Sequence, residues 1–282
     1  MENKNFYILY DVIYLTIGIT PKGGNKMNDL FNLQGQVALV SGASSGIGVD
    51  MAKAYARYGA NIVVTGRRKE RLDQVAEEIK ELGVDCIGVV CDVTDTESVE
   101  ACVKEVMDHF GRIDILHNNA GYGATKEAEL LTDDEWNKTV DVDLTGTFKM
   151  SRAVAREAMI PQKYGRIINT ASMFGLVGTM ATPTSPYAAA KGGVVNLTRQ
   201  LAAEWAKYNI TVNAICPGTF PTELTRSTID NDEYKAYTKT VVPVGRSGVD
   251  GELDSTVVYL ASPKSSYVTG QAIAVDGGYT CI

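Results

Sequence analysis

The segment Ser41-Gly42-Ala43-Ser44-Ser45-Gly46-Ile47-Gly48 joins an apolar run, Val37–Val40, to a stretch with helical periodicity. A strand that passes through glycines into a helix is the context in which a βα unit binds phosphate. Gly42 permits a tight turn, Gly46 lets the backbone approach a pyrophosphate, and Gly48 allows the helix and strand to pack closely. The spacing differs from G-x-G-x-x-G, so a purely structural turn is the alternative that this segment alone leaves open.

The rest of the chain repeats this alternation of short apolar runs and longer amphipathic stretches, which is typical of βα units around a parallel sheet. Strands are predicted at Val37–Val40, Ile62–Thr65, Cys86–Cys91, Ile113–His117, Arg166–Thr170, Thr211–Ile215 and Ala272–Val275. Helices are predicted at Ile47–Tyr58, Glu70–Leu82, Glu97–Phe110, Glu135–Met159, Tyr187–Tyr208 and Gly251–Ala261. The predicted fold class is α/β, a Rossmann-type doubly wound parallel seven-stranded sheet with helices on both faces. A ligand is expected at the carboxyl ends of the strands.

Composition restricts the classes of function. A chain of 282 residues with 45% apolar content can bury one large core. The net charge of −7 argues against nucleic acid as a partner, because phosphate backbones favour concentrated lysine and arginine. Five cysteines without a C-x-x-C pair indicate reduced thiols and a cytoplasmic location. His109 and His117 have no companion at ligand spacing, so no metal site is predicted.

Residues 1–32 are interpreted as an N-terminal extension and residues 33–282 as a single domain. The apolar stretch Phe6–Thr20 contains a carboxylate and is too short to span a bilayer, so no membrane partner is predicted. A signal peptide is disfavoured, since the stretch has little positive charge and no clear A-x-A site follows it. Met27 offers an alternative start, and a non-native extension is the other interpretation.

Further motifs follow in order along the chain. They are Asp92-Val93, Asn118-Asn119-Ala120-Gly121, Ser172, Tyr187-x-x-x-Lys191, Pro217-Gly218 and Asp276-Gly277-Gly278. Together with the glycine segment, they resemble the short-chain dehydrogenase/reductase family, whose glycine motif reads T-G-x-x-x-G-x-G, here with Ser41 for the threonine. The resemblance extends from about Leu33 to Ile282. It implies a nicotinamide-dependent oxidoreductase that interconverts a secondary alcohol and a ketone.

Tyr187 and Lys191 stand four residues apart at the start of a predicted helix, so their side chains share one face. An ammonium beside a phenol stabilises the phenolate, which lets the tyrosine exchange a proton near neutral pH. The resemblance implies that Tyr187 is the general acid and base and that Lys191 also holds the nicotinamide ribose. It also implies that Ser172 hydrogen-bonds the reacting oxygen. An isolated Y-x-x-x-K is more often helix packing and a solvated charge, but the surrounding motifs favour catalysis.

Asp143 is a fourth candidate catalytic residue and a departure from the family pattern. It stands in Asp143-Leu144-Thr145-Gly146-Thr147-Phe148, where many members have an asparagine whose backbone shapes a water-linked proton relay. Aspartate lacks the amide donor and adds a charge. If the backbone carbonyl performs the relay, little is lost. Some gluconate 5-dehydrogenase-like members have a similar segment, which favours a sugar-acid substrate weakly.

The stretch between Ser172 and Tyr187 is uncharged and two residues longer than the common family spacing. Its apolar side chains are able to line a pocket, whereas a carboxylated sugar favours a cationic anchor. These side chains are Met173, Phe174, Leu176 and Met180. Simple packing of the loop is the alternative. Substrate specificity is expected in a lid at about residues 219–249.

NADP(H) is predicted in preference to NAD(H), because the second strand is followed by Arg67 and Arg68 rather than by an acid. A guanidinium suits a 2′-phosphate, and two surface arginines are the alternative. The resemblance implies that Asp92 contacts the adenine ring. The predicted cofactor contacts are Gly42, Ser44, Ser45, Gly46, Ile47, Gly48, Arg67, Arg68, Asp92, Val93, Asn119, Ala120, Gly121, Tyr187, Lys191, Pro217, Gly218 and Thr222.

The substrate class stays open among small-molecule ketones and alcohols: 3-oxoacyl carriers, hydroxysteroids and gluconate-type sugars. A catalytically silent sensor of nicotinamide cofactor is the alternative from another class. The intact set of Ser172, Tyr187 and Lys191 argues against it, since a sensor has no chemical need for them. The resemblance further implies a homodimer or homotetramer assembled through the two long helices.

Overall fold

A computed structural model describes residues 30–123, 125–222 and 225–282. The predicted N-terminal extension at 1–32 lies almost wholly outside these residues. Phe31–Ile282 form one compact unit, and its described residues are built around a single sheet.

Seven parallel strands form this sheet in the order β3-β2-β1-β4-β5-β6-β7. They are β1 (Val37–Ser41), β2 (Asn61–Gly66), β3 (Cys86–Val90), β4 (Ile115–Asn118), β5 (Gly165–Thr170), β6 (Ile210–Pro217) and β7 (Ala272–Val275). Ala38 of β1 pairs with Ile62 on one side and with Ile115 on the other. The strand order therefore reverses between β1 and β4, which is where a doubly wound sheet opens a ligand crevice. The predicted fold class is confirmed.

The helices connect the strands, and two of them lie in the segment predicted to be a lid. They are α1 (Ile47–Arg57), α2 (Lys69–Lys80), α3 (Thr96–Phe110), α4 (Asp133–Val140), α5 (Gly146–Val154), α6 (Ile160–Gln162), α7 (Ser185–Trp205), α8 (Arg226–Ile229), α9 (Asp232–Val241) and α10 (Asp254–Ala261). Helix α3 shows the local signals clearly, because Asp95 caps its first turn and Gly111 ends it in a left-handed conformation. Helix α10 begins later than predicted, since Gly251 has a φ of +87° and cannot join a helix.

The predicted helix Glu135–Met159 is helical throughout, but π-helical turns at Asp141–Thr145 and Ala155–Met159 separate α4, α5 and α6 within this continuous stretch. The hydroxyl of Thr147 donates to the carbonyl of Asp143 at 2.8 Å, in competition with the backbone ladder. Single π-helical turns inside an α-helix occur often at functional sites. The first π turn carries Asp143.

The predicted lid contains α8 and α9, which the sequence interpretation did not assign. The Asn231 side chain accepts hydrogen bonds from the amides of Glu233 and Tyr234 at 2.7 and 3.3 Å. An asparagine followed by acidic residues is a sequence signal for the start of a helix, and the sequence contained it here. The hydroxyl of Tyr234 donates to Thr219 Oγ1 at 2.8 Å, which ties α9 to the segment after β6.

Alternate strand residues face two separate apolar layers. Val40 and Val64 pack in the layer with α1, α2 and α10, while Leu39 and Val63 pack in the layer with α3, α5 and α7. Full burial of one such side chain contributes about 1.5–3 kcal/mol, so packing on both faces fixes the sheet. The predicted placement of helices on both faces is confirmed.

All five cysteines are free thiols, with Cys281 exposed and the others buried. In the described part of the chain, every helix is too short or too polar to cross a membrane.

Candidate active site

The glycine segment forms the turn between β1 and α1, beside the reversal of strand order. Gly42 has a φ of +65°, and a Cβ there would lie 2.6 Å from the Cα of Ala120. At Gly48, a Cβ would lie 2.6 Å from the carbonyl oxygen of Gly42. Only glycine fits such close approaches. The turn leads into the amino end of α1 at Ile47, where the free backbone amides can bind an anion.

Ser41 fastens the glycine segment to the end of β4. Its Oγ accepts hydrogen bonds from the amides of Asn119 and Ala120 at 3.0 and 3.1 Å. Asn119 Nδ2 in turn donates to the carbonyl of Gly42 at 3.1 Å. Sequence reasoning noted Ser41 only as a replacement for threonine. The hydroxyl that the two residue types share is the functional feature.

Arg68 lies directly on the glycine segment. Its Nη2 donates to the hydroxyl oxygens of Ser44 and Ser45 at 3.1 and 3.0 Å. A groove of about 270 Å³ adjoins these serines. Its lining also includes Gly46, Thr222, Arg71 and Arg226. A guanidinium and two hydroxyls therefore converge at the predicted phosphate-binding edge.

Asp92 and Val93 follow β3 at the same edge. The Asp92 carboxylate accepts hydrogen bonds from the amide and hydroxyl of Thr94 at 2.9 and 2.7 Å. Partial burial disfavours the charged form, but these hydrogen bonds and the positive charge of Arg67 lower the pKa of Asp92. Val93 is buried, and a Cβ on Gly146 would lie 2.7 Å from its Cγ2. Asp92 is thus a fixed acceptor, while Val93 packs the segment.

Helix α7 places Tyr187 and Lys191 one turn apart. The Nζ atom of Lys191 lies 5.5 Å from the centroid of the Tyr187 ring and donates to the carbonyl of Thr170 at 2.9 Å. Lys191 is only 3% exposed, whereas Tyr187 is half-buried. The carbonyl of Thr170 therefore holds the Lys191 ammonium over the face of the Tyr187 ring. The proximity that the four-residue spacing predicts is present.

Ser172 caps the short turn Met173–Gly175 and is separated from the end of β5 by Ala171. Its Oγ accepts a hydrogen bond from the amide of Phe174 at 3.2 Å. A hydroxyl that accepts from its own turn can still donate its proton to a ligand. The turn packs on α7, since a Cβ on Gly175 would lie 2.7 Å from the carbonyl oxygen of Lys191. This contact brings the Ser172 segment against the helix that carries Lys191.

Asp143 forms a buried ion pair with Lys191. Its Oδ1 accepts a hydrogen bond from the amide of Tyr122 at 2.8 Å and lies 3.6 Å from Lys191 Nζ. Its Oδ2 is buried without a hydrogen-bond partner among the described residues. Burial raises the pKa of Asp143, although the charge of Lys191 and the Tyr122 amide act in the opposite direction. The side-chain carboxylate of Asp143, and not only its backbone, therefore lies against Lys191.

Gly121 lies just after β4, and Pro217, Gly218 and Thr222 lie at or after the end of β6. A Cβ on Gly121 would lie 2.9 Å from Asp143 Oδ1, and one on Gly46 would lie 3.5 Å from the Thr222 side chain. Pro217 ends β6, and Gly218 follows it.

The predicted apolar lining is wrong for Met180, whose side chain is fully exposed. Met173 is buried, and Phe174 packs edge-on against Tyr279 with ring centroids 6.2 Å apart. Leu176 is partly exposed. The longer loop therefore turns Met180 into solvent instead of inward.

A family model described as enoyl-(acyl carrier protein) reductase matches residues 42–280. The chain is 40% identical over 247 residues to 3-oxoacyl-[acyl-carrier-protein] reductase of Vibrio harveyi, covering 88% of this chain and 98% of the relative. It is 39% identical over 253 residues to gluconate 5-dehydrogenase of Gluconobacter oxydans strain 621H, covering 89% and 97%. The solved gluconate 5-dehydrogenase of Burkholderia cenocepacia J2315, in complex with NADP and tartrate, is 36% identical. It matches with a TM-score of 0.87 over 91% of this chain and 99% of that chain.

These matches extend over the glycine turn between β1 and α1 and over Tyr187 and Lys191. They confirm the prediction of an oxidoreductase that acts on CH–OH and C=O groups. The chain belongs to the short-chain dehydrogenase/reductase family.

Proposed function

We propose that this protein interconverts a secondary alcohol and a ketone with NADP(H) and uses Tyr187 as its proton donor and acceptor. The observation that carries the proposal is the buried ammonium of Lys191, 5.5 Å from the Tyr187 ring. It lies at the carboxyl ends of the strands, together with Ser172 and the glycine segment. Proximity of an acid, a hydrogen-bond donor and a phosphate cradle is what hydride transfer to a carbonyl requires.

When bound, the nicotinamide supplies or accepts the hydride. In ketone reduction, Tyr187 donates its hydroxyl proton to the carbonyl oxygen, and Ser172 donates a hydrogen bond to the same oxygen. The ammonium of Lys191 stabilises the phenolate left on Tyr187. In alcohol oxidation the phenolate takes the hydroxyl proton. A silent sensor has no use for this arrangement, which supports an active enzyme.

The arrangement of Arg68, Ser44 and Ser45 supports NADP(H) as the cofactor. These side chains offer a guanidinium and two hydroxyls to a 2′-phosphate, and the similar Burkholderia structure was solved with NADP. The glycine segment would hold the pyrophosphate, while Asn119, Gly121 and Lys191 would border the ribose and nicotinamide.

We expect Arg68→Ala to raise the KM for NADPH by about 10- to 100-fold, because a charge-assisted hydrogen bond contributes about 1.5–3 kcal/mol. Arg67→Ala should act in the same direction but less strongly, since Arg68 is the arginine in contact with the serines. The KM for NADH should stay within about twofold, as NADH lacks the 2′-phosphate. Initial-rate measurements with both cofactors check this.

Lys69→Ala is the matched control for Arg68→Ala. It removes the next cation along the chain, but Lys69 is paired with Asp73 instead of contacting the glycine segment. Its KM for NADPH should change little. An equal effect of Arg68→Ala on NADPH and NADH would contradict the assignment of the phosphate site.

The buried Asp143 carboxylate should influence the pH dependence of catalysis. Its negative charge lies 3.6 Å from Lys191 Nζ and offsets part of the ammonium's effect on the phenolate. We therefore expect Asp143→Asn to move the rise of alcohol oxidation with pH to lower pH, by about half a unit to one unit. Profiles of kcat/KM against pH measure the shift.

The same variant should change the pH dependence of stability. Because burial raises the pKa of Asp143 above its ordinary 3.8, the unfolded chain releases this proton first and the carboxyl destabilises the fold as pH rises. Asparagine does not titrate, so the variant should gain stability relative to the parent as the pH rises above the ordinary carboxyl pKa of 3.8. Asp141→Asn, in the same π turn but exposed, is the control. Superimposable activity profiles of parent and Asp143→Asn would argue against a role for the carboxylate.

The uncharged segment after Ser172 supports a ketone with an apolar substituent, such as a 3-oxoacyl thioester, over a sugar acid. Phe174 of that segment packs against Tyr279, and the two rings offer aromatic surface. A sugar acid is the second candidate, favoured by the Asp143 segment and by the similarity to the two gluconate 5-dehydrogenases. NADPH consumption with 3-oxoacyl thioesters, oxosteroids and 5-ketogluconate decides between them by the ratio of kcat/KM values.

Assembly and location remain parts of the proposal. Trp136 and Phe148 are exposed on the α4 to α5 stretch, which supports a homodimer or homotetramer formed there. Buried free thiols support a reducing, cytoplasmic compartment. Light scattering in solution tests the assembly.

A further inference from the structure

A series of hydrogen-bonded polar side chains runs from the buried Tyr55 of α1 to the half-buried Asn119 beside the glycine segment. Tyr55 Oη lies 2.8 Å from His117 Nδ1, and His117 Nε2 lies 3.0 Å from Thr170 Oγ1. Thr170 Oγ1 lies 3.5 Å from Asn119 Oδ1, and Asn119 Nδ2 lies 3.1 Å from the carbonyl oxygen of Gly42. Tyr55 and His117 are fully buried. Sequence reasoning assigned no role to either residue.

All hydrogen bonds in this series can have the same direction, with each group donating to the next one toward Gly42. Asn119 Nδ2 donates to Gly42, so Asn119 Oδ1 is an acceptor and takes the proton of the Thr170 hydroxyl. Thr170 then accepts from His117 Nε2–H, which leaves Nδ1 to accept from the Tyr55 hydroxyl. The reverse order would leave the buried phenol proton of Tyr55 without this acceptor. The geometry thus selects the Nε2–H tautomer of His117.

Both titratable members stay neutral at ordinary pH. Burial lowers the pKa of His117 to about 3 and raises the pKa of Tyr55 well above its usual 10. A neutral imidazole both accepts and donates one hydrogen bond, whereas an imidazolium only donates. His117 is therefore suited to pass a fixed hydrogen-bond direction from one element to the next.

This series of hydrogen bonds reaches two parts of the active site. Gly42 is the first glycine of the phosphate cradle, and Asn119 lies in the segment that borders the cofactor. Thr170 also belongs to the catalytic side, because its carbonyl accepts from Lys191 Nζ at 2.9 Å. One threonine is thus held by His117 through its hydroxyl and holds Lys191 through its carbonyl.

We propose that His117 is a positioning residue that, with Tyr55, fixes Thr170 and Asn119 and thereby preorganises the glycine segment for NADP(H). The inference rests on the proposed function, because it concerns how the same cofactor is held. It assigns a role in cofactor affinity to a residue that touches neither cofactor nor substrate.

The test is NADPH affinity measured by fluorescence titration of the full chain, with kcat and KM measured in parallel. We expect His117→Leu to raise the Kd for NADPH by about 3- to 10-fold, the effect of losing one or two hydrogen bonds that order the cradle. His117→Gln keeps a donor near the Nε2 position and should recover most of the affinity. Each variant should change KM for NADPH more than kcat.

A matched pair of tyrosine variants keeps the test decisive if His117→Leu does not fold. Tyr55→Phe removes the first donor of the hydrogen-bond series. Tyr164→Phe is the control, because the hydroxyl of Tyr164 donates to Gln36 Oε1 at 3.2 Å and lies before β5, at the amino edge of the sheet. Only Tyr55→Phe should raise the Kd for NADPH, by about 2- to 5-fold. A Kd for Tyr55→Phe equal to that of Tyr164→Phe overturns the inference. Failure of the unmutated protein to bind NADPH would instead overturn the proposed function.

Discussion

Tyr187→Phe should lower kcat by about 10²- to 10⁴-fold while leaving the Kd for NADPH within about threefold of the parent value. The substitution removes the proton that converts the alkoxide oxygen into a hydroxyl after hydride transfer, but it keeps the ring beside Lys191 Nζ. Without an acid at this place, hydride transfer has to produce a free alkoxide or rely on water as the proton donor, and both routes are far slower. Single-turnover NADPH oxidation and fluorescence titration measure the two quantities separately.

Tyr208→Phe is the control for this variant. Tyr208 lies just beyond the end of α7, where its ring contacts Lys207, and it has no place at the carboxyl ends of the strands. Its variant should turn over normally and report any general effect of losing a tyrosine hydroxyl. Turnover of Tyr187→Phe equal to that of Tyr208→Phe would remove Tyr187 from the mechanism.

The sequence predicted those parts of the site that depend on local order. Tyr187 and Lys191 share a helix, and Gly42 and Gly48 belong to one short segment between β1 and the start of α1, so their spacing alone indicated their proximity. The apolar runs located each strand to within two residues, because strands buried on both faces tolerate few polar side chains. Local pattern and tertiary structure agree in these elements.

Contacts between distant segments escaped prediction. Ser41 and Asn119 are 78 positions apart, and Tyr55 and His117 are 62 positions apart. Each pair meets only because β1 and β4 are neighbours in the sheet, an order that no local pattern encodes. The π turn at Asp141–Thr145 also depends on hydroxyl groups that compete for helical carbonyls, which is a choice between nearly equal local arrangements.

Gly42→Ala should destabilise the fold by about 2–5 kcal/mol and raise the Kd for NADPH at least about 10-fold. Two costs add: a left-handed φ of +65° costs a residue with a Cβ about 1–2 kcal/mol, and overpacking costs about 1–3 kcal/mol more. The overpacking arises because the new Cβ would lie 2.6 Å from the Cα of Ala120, which is backbone and cannot rotate away. Relief requires the glycine segment and the end of β4 to separate, which disrupts the phosphate cradle.

Gly83→Ala separates the two costs. Gly83 has a φ of +87° in the turn after α2, but nothing lies within 4 Å of its added Cβ. It should therefore lose only the conformational part, about 1–2 kcal/mol, with no change in NADPH affinity. Urea denaturation of both variants measures the difference in the free energy of unfolding, and titration measures the Kd. Equal destabilisation would show that the approach of Gly42 to Ala120 carries no strain, and unchanged NADPH affinity in Gly42→Ala would show that this turn does not form the phosphate cradle.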